Sequence, residues 1–394
     1  MHHSNSNYEE RRRRRRGVRR RAQNENEKMV DLPQELIHEI LLRLPVKSLI
    51  RFKTVCKSWL SHISDPHFTA SHFKLGAAPT ERLLFLSPIA REFLSIDFNE
   101  SLNDDSASAA LNCDFVEHFD YLEIIGSCRG FLLLDFRYTL CVWNPSTGVH
   151  QFVKWSPFVS SNIMGLDVGD EFSLSIRGFG YDPSTDDYLA VLASCNDELV
   201  IIHMEYFSLR ANTWKEIEAS HLSFAEIAYN EVGSFLNTAI HWLAFSLEVS
   251  MDVIVAFDLT ERGFSEILLP IDFDLDNFQL CVLAVLGELL NLCAVEEIRH
   301  SVEIWAMGEY KVRSSWTKTT VVSLDYFSSL SLFPICSTED GDIVGTDGCN
   351  VLIKCNDEGQ LQEYQIYSNG PYRSAVYTES LLSLPCDREP AENV

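Results

Sequence analysis

One short unit recurs between residues 143 and 361, and it limits the possible folds more than any other feature. The unit is an aromatic, a polar and an apolar residue, then a polar turn, and then another apolar or aromatic residue. It appears as Trp143-Asn-Pro145 with Val149, as Phe207-Ser-Leu209 with Trp214, as Phe257-Asp-Leu259 with Phe264 and as Trp305-Ala-Met307 with Trp316. A degenerate copy is Ile353-Lys-Cys355 with Leu361. The leading positions 143, 207, 257, 305 and 353 are separated by 64, 50, 48 and 48 residues. A short apolar strand precedes several copies, as in Ile240-His-Trp-Leu243, Leu289-Leu-Asn-Leu292 and Ile343-Val344. Units of about 50 residues cannot bury their own faces and must stack on one another. With four short strands each, they are expected to be blades of a β-propeller.

Five copies are visible. Strands near residues 82–98 and 374–384 are expected to combine into a closing blade. That gives about six blades of the kelch size class, with seven as the alternative and a pair of β-sandwiches as the competing architecture. The tryptophans at 143, 214, 242, 305 and 316 are expected to fill the junctions between blades, where a large aromatic gains most from burial.

The wider pattern agrees. Across residues 80–385, runs such as Arg82–Ser87, Gly130–Asp135 and Val253–Phe257 read as strands. Asn144–Gly148 and Asp182–Asp186 read as turns. The acidic stretch from Asn99 to Ser108 reads as a long exposed loop. Residues 29–75 change period and become helical. Asp31 with Gln34 fits a helix start, with Pro33 in the first turn. Leu36, Ile37, Ile40, Leu41 and Leu44 then recur at helical spacing. A second set, Val46, Leu49, Ile50, Phe52, Val55 and Trp59, ends near Ser64-Asp65-Pro66. The expected fold class is therefore α+β and multidomain: a small three-helix domain followed by a mainly-β propeller.

Charge divides the chain in the same way. Residues 1–28 carry a net charge of +6, including the run Arg11–Arg16 and Arg19–Arg21, and the remaining residues carry −31. The tail is expected to be disordered and fits a nuclear import signal, although Met29 offers an alternative start. Residues 386–394 are expected to be a disordered C-terminal tail. The acidic body is expected to repel nucleic acid and to favour basic protein partners. The longest apolar run, Leu280–Leu286, is far short of the roughly 20 residues that cross a bilayer. The expectation is a soluble protein of the cytoplasm, the nucleus or both, with no membrane partner.

Chemistry-bearing motifs are scarce. The 11 cysteines form no C-x-x-C pair and are expected to be reduced, buried thiols. His62, His67 and His72 are five residues apart, which does not place metal ligands on one helix face. There is no P-loop, dinucleotide glycine pattern, G-x-S-x-G elbow or H-E-x-x-H. No metal, cofactor or catalytic residue is expected.

The stretch from Asp31 to Trp59, Asp-Leu-Pro-Gln-Glu-Leu-Ile-His-Glu-Ile-Leu-Leu-Arg-Leu-Pro-Val-Lys-Ser-Leu-Ile-Arg-Phe-Lys-Thr-Val-Cys-Lys-Ser-Trp, resembles an F-box, and Ile63-Ser-Asp-Pro-His-Phe68 resembles its ending. The later region resembles the F-box-associated domain of plant F-box proteins. The resemblance rests on Gly126-Ser-Cys-Arg-Gly130, Trp143–Thr147, Gly178–Asp182, Asp186-Asp-Tyr188, Leu236–Leu243 and Val302–Trp305. Two departures stand out: Leu189-Ala190 where Lys-Val is common, and Arg129-Gly130-Phe131 where Asn-Gly-Leu is common.

The resemblance implies a substrate-recognition subunit of a Skp–cullin–F-box ubiquitin ligase. The F-box would dock on a Skp-type adaptor and so reach a cullin–RING ligase, and the propeller would hold a target protein for ubiquitination. The adaptor-binding residues are expected to be Leu32, Pro33, Leu36, Ile37, Ile40, Leu41, Leu44, Pro45 and Leu49, since so small a domain cannot bury this apolar stripe itself. Val55, Cys56 and Trp59 are expected to close the small domain's own core. The chain itself would catalyse nothing. The alternatives are a ligase-independent binding module, a small-molecule sensor and a propeller enzyme.

Overall fold

A computed structural model describes residues 33–75, 80–87, 92–104, 107–111, 113–116, 121–137, 139–156, 174–195, 201–217, 224–225, 232–246, 248–271, 273–296, 300–323, 332–367 and 373–385. The expected tails, 1–28 and 386–394, lie outside these. The chain divides into two compact units at Leu44/Pro45. The first unit supplies helix α1 (Gln34–Leu41). The second begins with α2 (Val46–Phe52), α3 (Lys57–Ile63) and α4 (Pro66–Leu75).

There are thus four helices in this region where three were expected. Asp65-Pro66 opens a helix as well as following one. Asp65 Oδ1 accepts hydrogen bonds from the backbone N–H groups of His67 (2.9 Å) and Phe68 (3.0 Å). That satisfies donors which a helix start otherwise leaves orphaned. Proline is tolerated there because its missing N–H would have had no partner.

Among the described residues, strands dominate the rest of the second unit. In chain order they are β1 (Glu81–Ser87), β2 (Glu92–Ile96) and β3 (Ser108–Ala110); β4 (Glu123–Cys128), β5 (Phe131–Asp135), β6 (Thr139–Trp143) and β7 (His150–Lys154); and β8 (Leu174–Asp182), β9 (Asp187–Cys195), β10 (Ile201–Ser208) and β11 (Thr213–Glu216). Next come β12 (Phe224–Ala225), β13 (Ser234–Leu236), β14 (Ala239–Ser246), β15 (Met251–Asp258) and β16 (Phe264–Leu268). They are followed by β17 (Leu280–Leu286), β18 (Leu289–Glu296), β19 (Ser301–Met307) and β20 (Trp316–Ser323), then β21 (Phe333–Ser337), β22 (Ile343–Thr346), β23 (Val351–Cys355), β24 (Leu361–Ile366) and β25 (Arg373–Thr378). They form six antiparallel sheets, which are blades two to six in chain order plus a first blade ordered β25-β1-β2-β3.

The innermost strands β25, β4, β8, β13 with β14, β17 and β21 neighbour one another in turn, and β21 returns to β25. The ring is a closed six-bladed propeller. Its first blade joins both ends of the domain, as the sequence led us to expect. Arg82 pairs with Tyr377 in the β1–β25 register, and the Ser95 and Tyr377 hydroxyls lie 2.7 Å apart.

Each leading position of the repeat falls on the third strand of its blade: Trp143 on β6, Phe207 on β10, Phe257 on β15, Trp305 on β19 and Ile353 on β23. The trailing aromatic faces it from the fourth strand, as Phe207 opposite Trp214 and Phe257 opposite Phe264 show. Apolar clusters occupy all six junctions. Leu86 and Trp143 share the cluster between the first two blades, Phe131 and Phe207 that between the next two, and Phe85 and Val344 that where the sixth meets the first. Middle strands are covered on both faces, so β5 is buried throughout, whereas the outermost β24 alternates between half-buried and exposed.

The tryptophans also fasten blades by hydrogen bonds. Trp214 Nε1 donates to the Lys154 carbonyl (2.9 Å), Trp242 Nε1 to Arg177 (3.1 Å) and Trp316 Nε1 to Leu268 (3.1 Å), each in the preceding blade. Trp143 is fully buried, while Trp214 and Trp305 are only half-buried. Glycine makes room for one of these anchors. A Cβ on Gly178 would lie 2.7 Å from Ile240 Cγ2 and 3.0 Å from Trp242 Cζ2.

The acidic stretch after β2 differs from the expected free loop. Glu363 Oε2 accepts from the Ser101 hydroxyl (2.9 Å) and the Leu102 N–H (2.7 Å), and Leu102 is buried. Asn99 Oδ1 accepts from the Glu339 N–H at 3.0 Å, so the segment is tied to the sixth blade. Its last residue, Ser108, begins the edge strand β3.

Candidate functional site

The residues expected to dock on an adaptor begin with α1. Pro33 stands at its N-cap rather than in its first turn, with φ −52° and ψ 142°. Glu35 lies in the first turn, where a negative charge suits the helix dipole. Leu36 and Ile40, four residues apart and so on one face, are 51% and 50% exposed. Such exposure of two large aliphatics in adjacent turns leaves an apolar strip open to a partner. Ile37 is half-buried and Leu41 is buried. Glu39 and Arg43 form an exposed i,i+4 ion pair at 2.9 Å. Leu44 is half-buried, and Leu32 lies outside the described residues.

In the second unit, Pro45 is exposed at the N-cap of α2, and Leu49 is fully buried. The turn between α2 and α3 brings a correction. Val55 is 61% exposed and Cys56 is exposed, so neither closes a core. Cys56 is the N-cap of α3, its sulfur accepting from the Trp59 N–H at 3.5 Å, and this capping role holds the turn at the surface. Trp59 does pack inward, its ring 5.2 Å from that of Phe52. Leu60 on α3 and Leu75 at the end of α4 are also exposed. The sequence did not single out Leu60 or Leu75, although both are large apolar residues on short helices.

The ring carries charged groups near the starts of its inner strands. Arg177 is buried and bridges Glu123 (2.8 Å) and Asp135 (3.0 Å), and Arg373 approaches Glu123 at 3.8 Å. Burial raises the Asp135 carboxyl, with Arg177 opposing. Burial and a hydrogen bond to Glu123 push Tyr121 up to about 12. These carboxylates are committed to ion pairs. His241 is likewise structural: its ring nitrogens meet the Ser234 carbonyl (3.0 Å) and the Tyr310 hydroxyl (2.7 Å), and burial pushes it down to about 4.

Burial pushes the thiols of Cys128, Cys141, Cys281 and Cys293 up to about 12, which keeps them protonated and unreactive. Among the described residues no group of His, Cys, Asp and Glu is arranged to hold a metal, and His62, His67 and His72 do not converge.

The comparisons with known proteins fit this anatomy. Residues 29–71 match the F-box domain, and residues 84–383 match the F-box associated beta propeller domain. An F-box/kelch-repeat protein of Arabidopsis thaliana is 28% identical over 73% of this chain and 78% of its own length. The F-box protein CPR1 of Arabidopsis thaliana is 30% identical over 75% of this chain and 73% of its own. The chain belongs to the family of F-box proteins that carry an F-box associated beta propeller domain.

Proposed function

We propose that the chain is the substrate-recognition subunit of a Skp–cullin–F-box ubiquitin ligase. The exposed pair Leu36 and Ile40 carries the reading: an apolar strip on a short helix, in a chain whose remaining bulk is a closed ring suited to holding another protein. A helix groove on a Skp-type adaptor would cover the strip. Pro33, Ile37 and Pro45 would extend the contact, together with Leu32 and Leu44. Leu41 and Leu49, being buried, would support the helices from within. The propeller would bind a target protein through its loops, for ubiquitination and proteasomal degradation, and the ubiquitin chemistry would belong to partner subunits. The charge of −31 outside the first 28 residues supports a target with a basic surface. The Arg11–Arg21 region supports work in the nucleus, the cytoplasm or both.

The test is binding of the purified chain to a Skp-type adaptor. Two half-exposed aliphatic side chains give about 2–3 kcal/mol on full burial. The Leu36→Ala, Ile40→Ala double variant should therefore bind roughly 30–150-fold more weakly while melting like the wild type. Equal affinity of the two folded proteins would remove the proposed interface.

A further inference from the structure

Arg129 sits where side chains are seldom found. It and Gly130 form the turn between β4 and β5, with φ values of +50° and +82°. The left-handed region is mainly used by glycine and asparagine, and nothing in the turn itself calls for a long cation. The side chain explains the choice. Its guanidinium carbon lies 3.9 Å from the centre of the Tyr181 ring and 4.9 Å from that of Phe73, and Arg129 also hydrogen-bonds Tyr188.

Tyr181 is on β8 of the third blade, and Phe73 is on α4. One planar cation, carried on the second blade, therefore touches the third blade and the last helix. The closing segment backs the same turn, since a Cβ on Gly130 would lie 2.3 Å from Ser380 Oγ and 2.8 Å from the Thr378 carbonyl. Leu382 and Leu384 share the apolar cluster against which Phe73 and Tyr181 pack.

We propose that Arg129 is a positioning residue of the ligase, a clamp that fixes α4 to the ring. A target on the propeller would then keep a set orientation to α4, and ubiquitin transfer rewards such fixed proximity. The proposal rests on the function proposed above for its meaning, but the clamp is testable without any partner. A lysine would not substitute, because an ammonium lacks the flat face that stacks on rings.

Cys56 and Cys349 are exposed, one on the helical side and one on the sixth blade, whereas Cys113, Cys128, Cys141, Cys281, Cys293, Cys336 and Cys355 are buried. In the full chain, with Cys195 and Cys386 replaced by serine, spin labels on Cys56 and Cys349 report the helix-to-ring distance by pulsed dipolar spectroscopy. The wild type should give one narrow distribution. Arg129→Asn keeps a residue suited to the left-handed turn and should broaden it. Phe73→Leu, which keeps apolar packing but removes the ring, should broaden it too, and Arg129→Lys should not restore it.

In a reconstituted ligase, Arg129→Asn should bind adaptor normally and self-ubiquitinate several-fold more slowly. Narrow, unshifted distributions in both Arg129→Asn and Phe73→Leu would overturn the clamp. A broadened distribution with an unchanged transfer rate would overturn the positioning role. Failure of folded wild-type chain to bind adaptor would sink the ligase reading and leave the distance result standing.

Discussion

Replacing Asn144 with aspartate should open the ring from its C-terminal side. Asn144 follows the third strand of the second blade and is fully buried. Its Oδ1 shapes the local turn by accepting from the N–H groups of Ser146 (2.9 Å) and Thr147 (3.3 Å). Its Nδ2 faces the closing segment, within reach of Ser380 Oγ (3.1 Å), Ser380 O (3.2 Å) and Leu382 O (3.3 Å). An amide has two hydrogens, so at most two of these three acceptors are served at once.

Asn144→Asp keeps the turn acceptor and puts a carboxylate oxygen against the Ser380 and Leu382 carbonyls, which have no proton to donate to it. Two buried groups lose their partner, at about 1–3 kcal/mol each, or about 2–6 kcal/mol together. Unfolding entropy near 60 °C is about 2.1 cal/mol/K per residue, so a ring of about 300 residues melting as one unit should lose about 3–10 °C in Tm. Hydrogen exchange followed by mass spectrometry should show the extra opening concentrated in β25 and residues 379–384, with β17–β20 far less affected. Unchanged melting together with unchanged protection of β25 would refute the idea that Asn144 latches the ring.

Two further outcomes follow from packing and charge. Gly178→Ala should destabilise the ring by about 1–3 kcal/mol, because the added methyl meets Ile240 and Trp242 at 2.7–3.0 Å; chemical denaturation measures it, and neutral behaviour would mean that the third and fourth blades separate easily. Asp182 is held at about 2, hydrogen bonds from Ser184, Thr185 and Arg262 outweighing the upward push of burial. A depressed carboxylate stabilises the fold above its unfolded value of about 4 and loses that contribution as pH falls toward 2. The stability gap between wild type and Arg262→Ala, which breaks the 2.8 Å ion pair with Asp182, should therefore be constant above about pH 5 and shrink between about pH 4 and 2. A gap that does not vary with pH would show that the pair contributes through packing alone.

The sequence revealed the ring because the third strands repeat an aromatic lead at nearly constant spacing, and a chemical rhythm survives without coordinates. The first blade hid from that rhythm. Its third strand, β2, carries no such lead, and its innermost strand comes from the far end of the chain, so only the need for closure pointed to it. Local ambiguity hid α4, since Asp-Pro is as good a helix start as a helix stop. Long-range contact hid the rest. Glu363 tethers Leu102 across 261 positions, and no local pattern announces such a partner. Val55 and Cys56 looked like core by residue type, yet a capping sulfur holds them at the surface. Arg129 was visible only as a departure from the usual Asn, and its meaning required knowing which two rings converge on it.

The way the first blade is shared has a consequence in time. Ser95 and Tyr377 face each other across 282 positions. At about 5–20 residues per second, a ribosome needs roughly 15–55 seconds to make the second partner after the first. Throughout that interval β1 has a bare edge, with Leu83, Leu84, Phe85 and Leu86 in a run that the finished protein covers completely. An apolar strand with an unpaired edge is a template for aggregation. A nascent chain of this design therefore carries an aggregation-prone edge at its first blade until its last strand arrives.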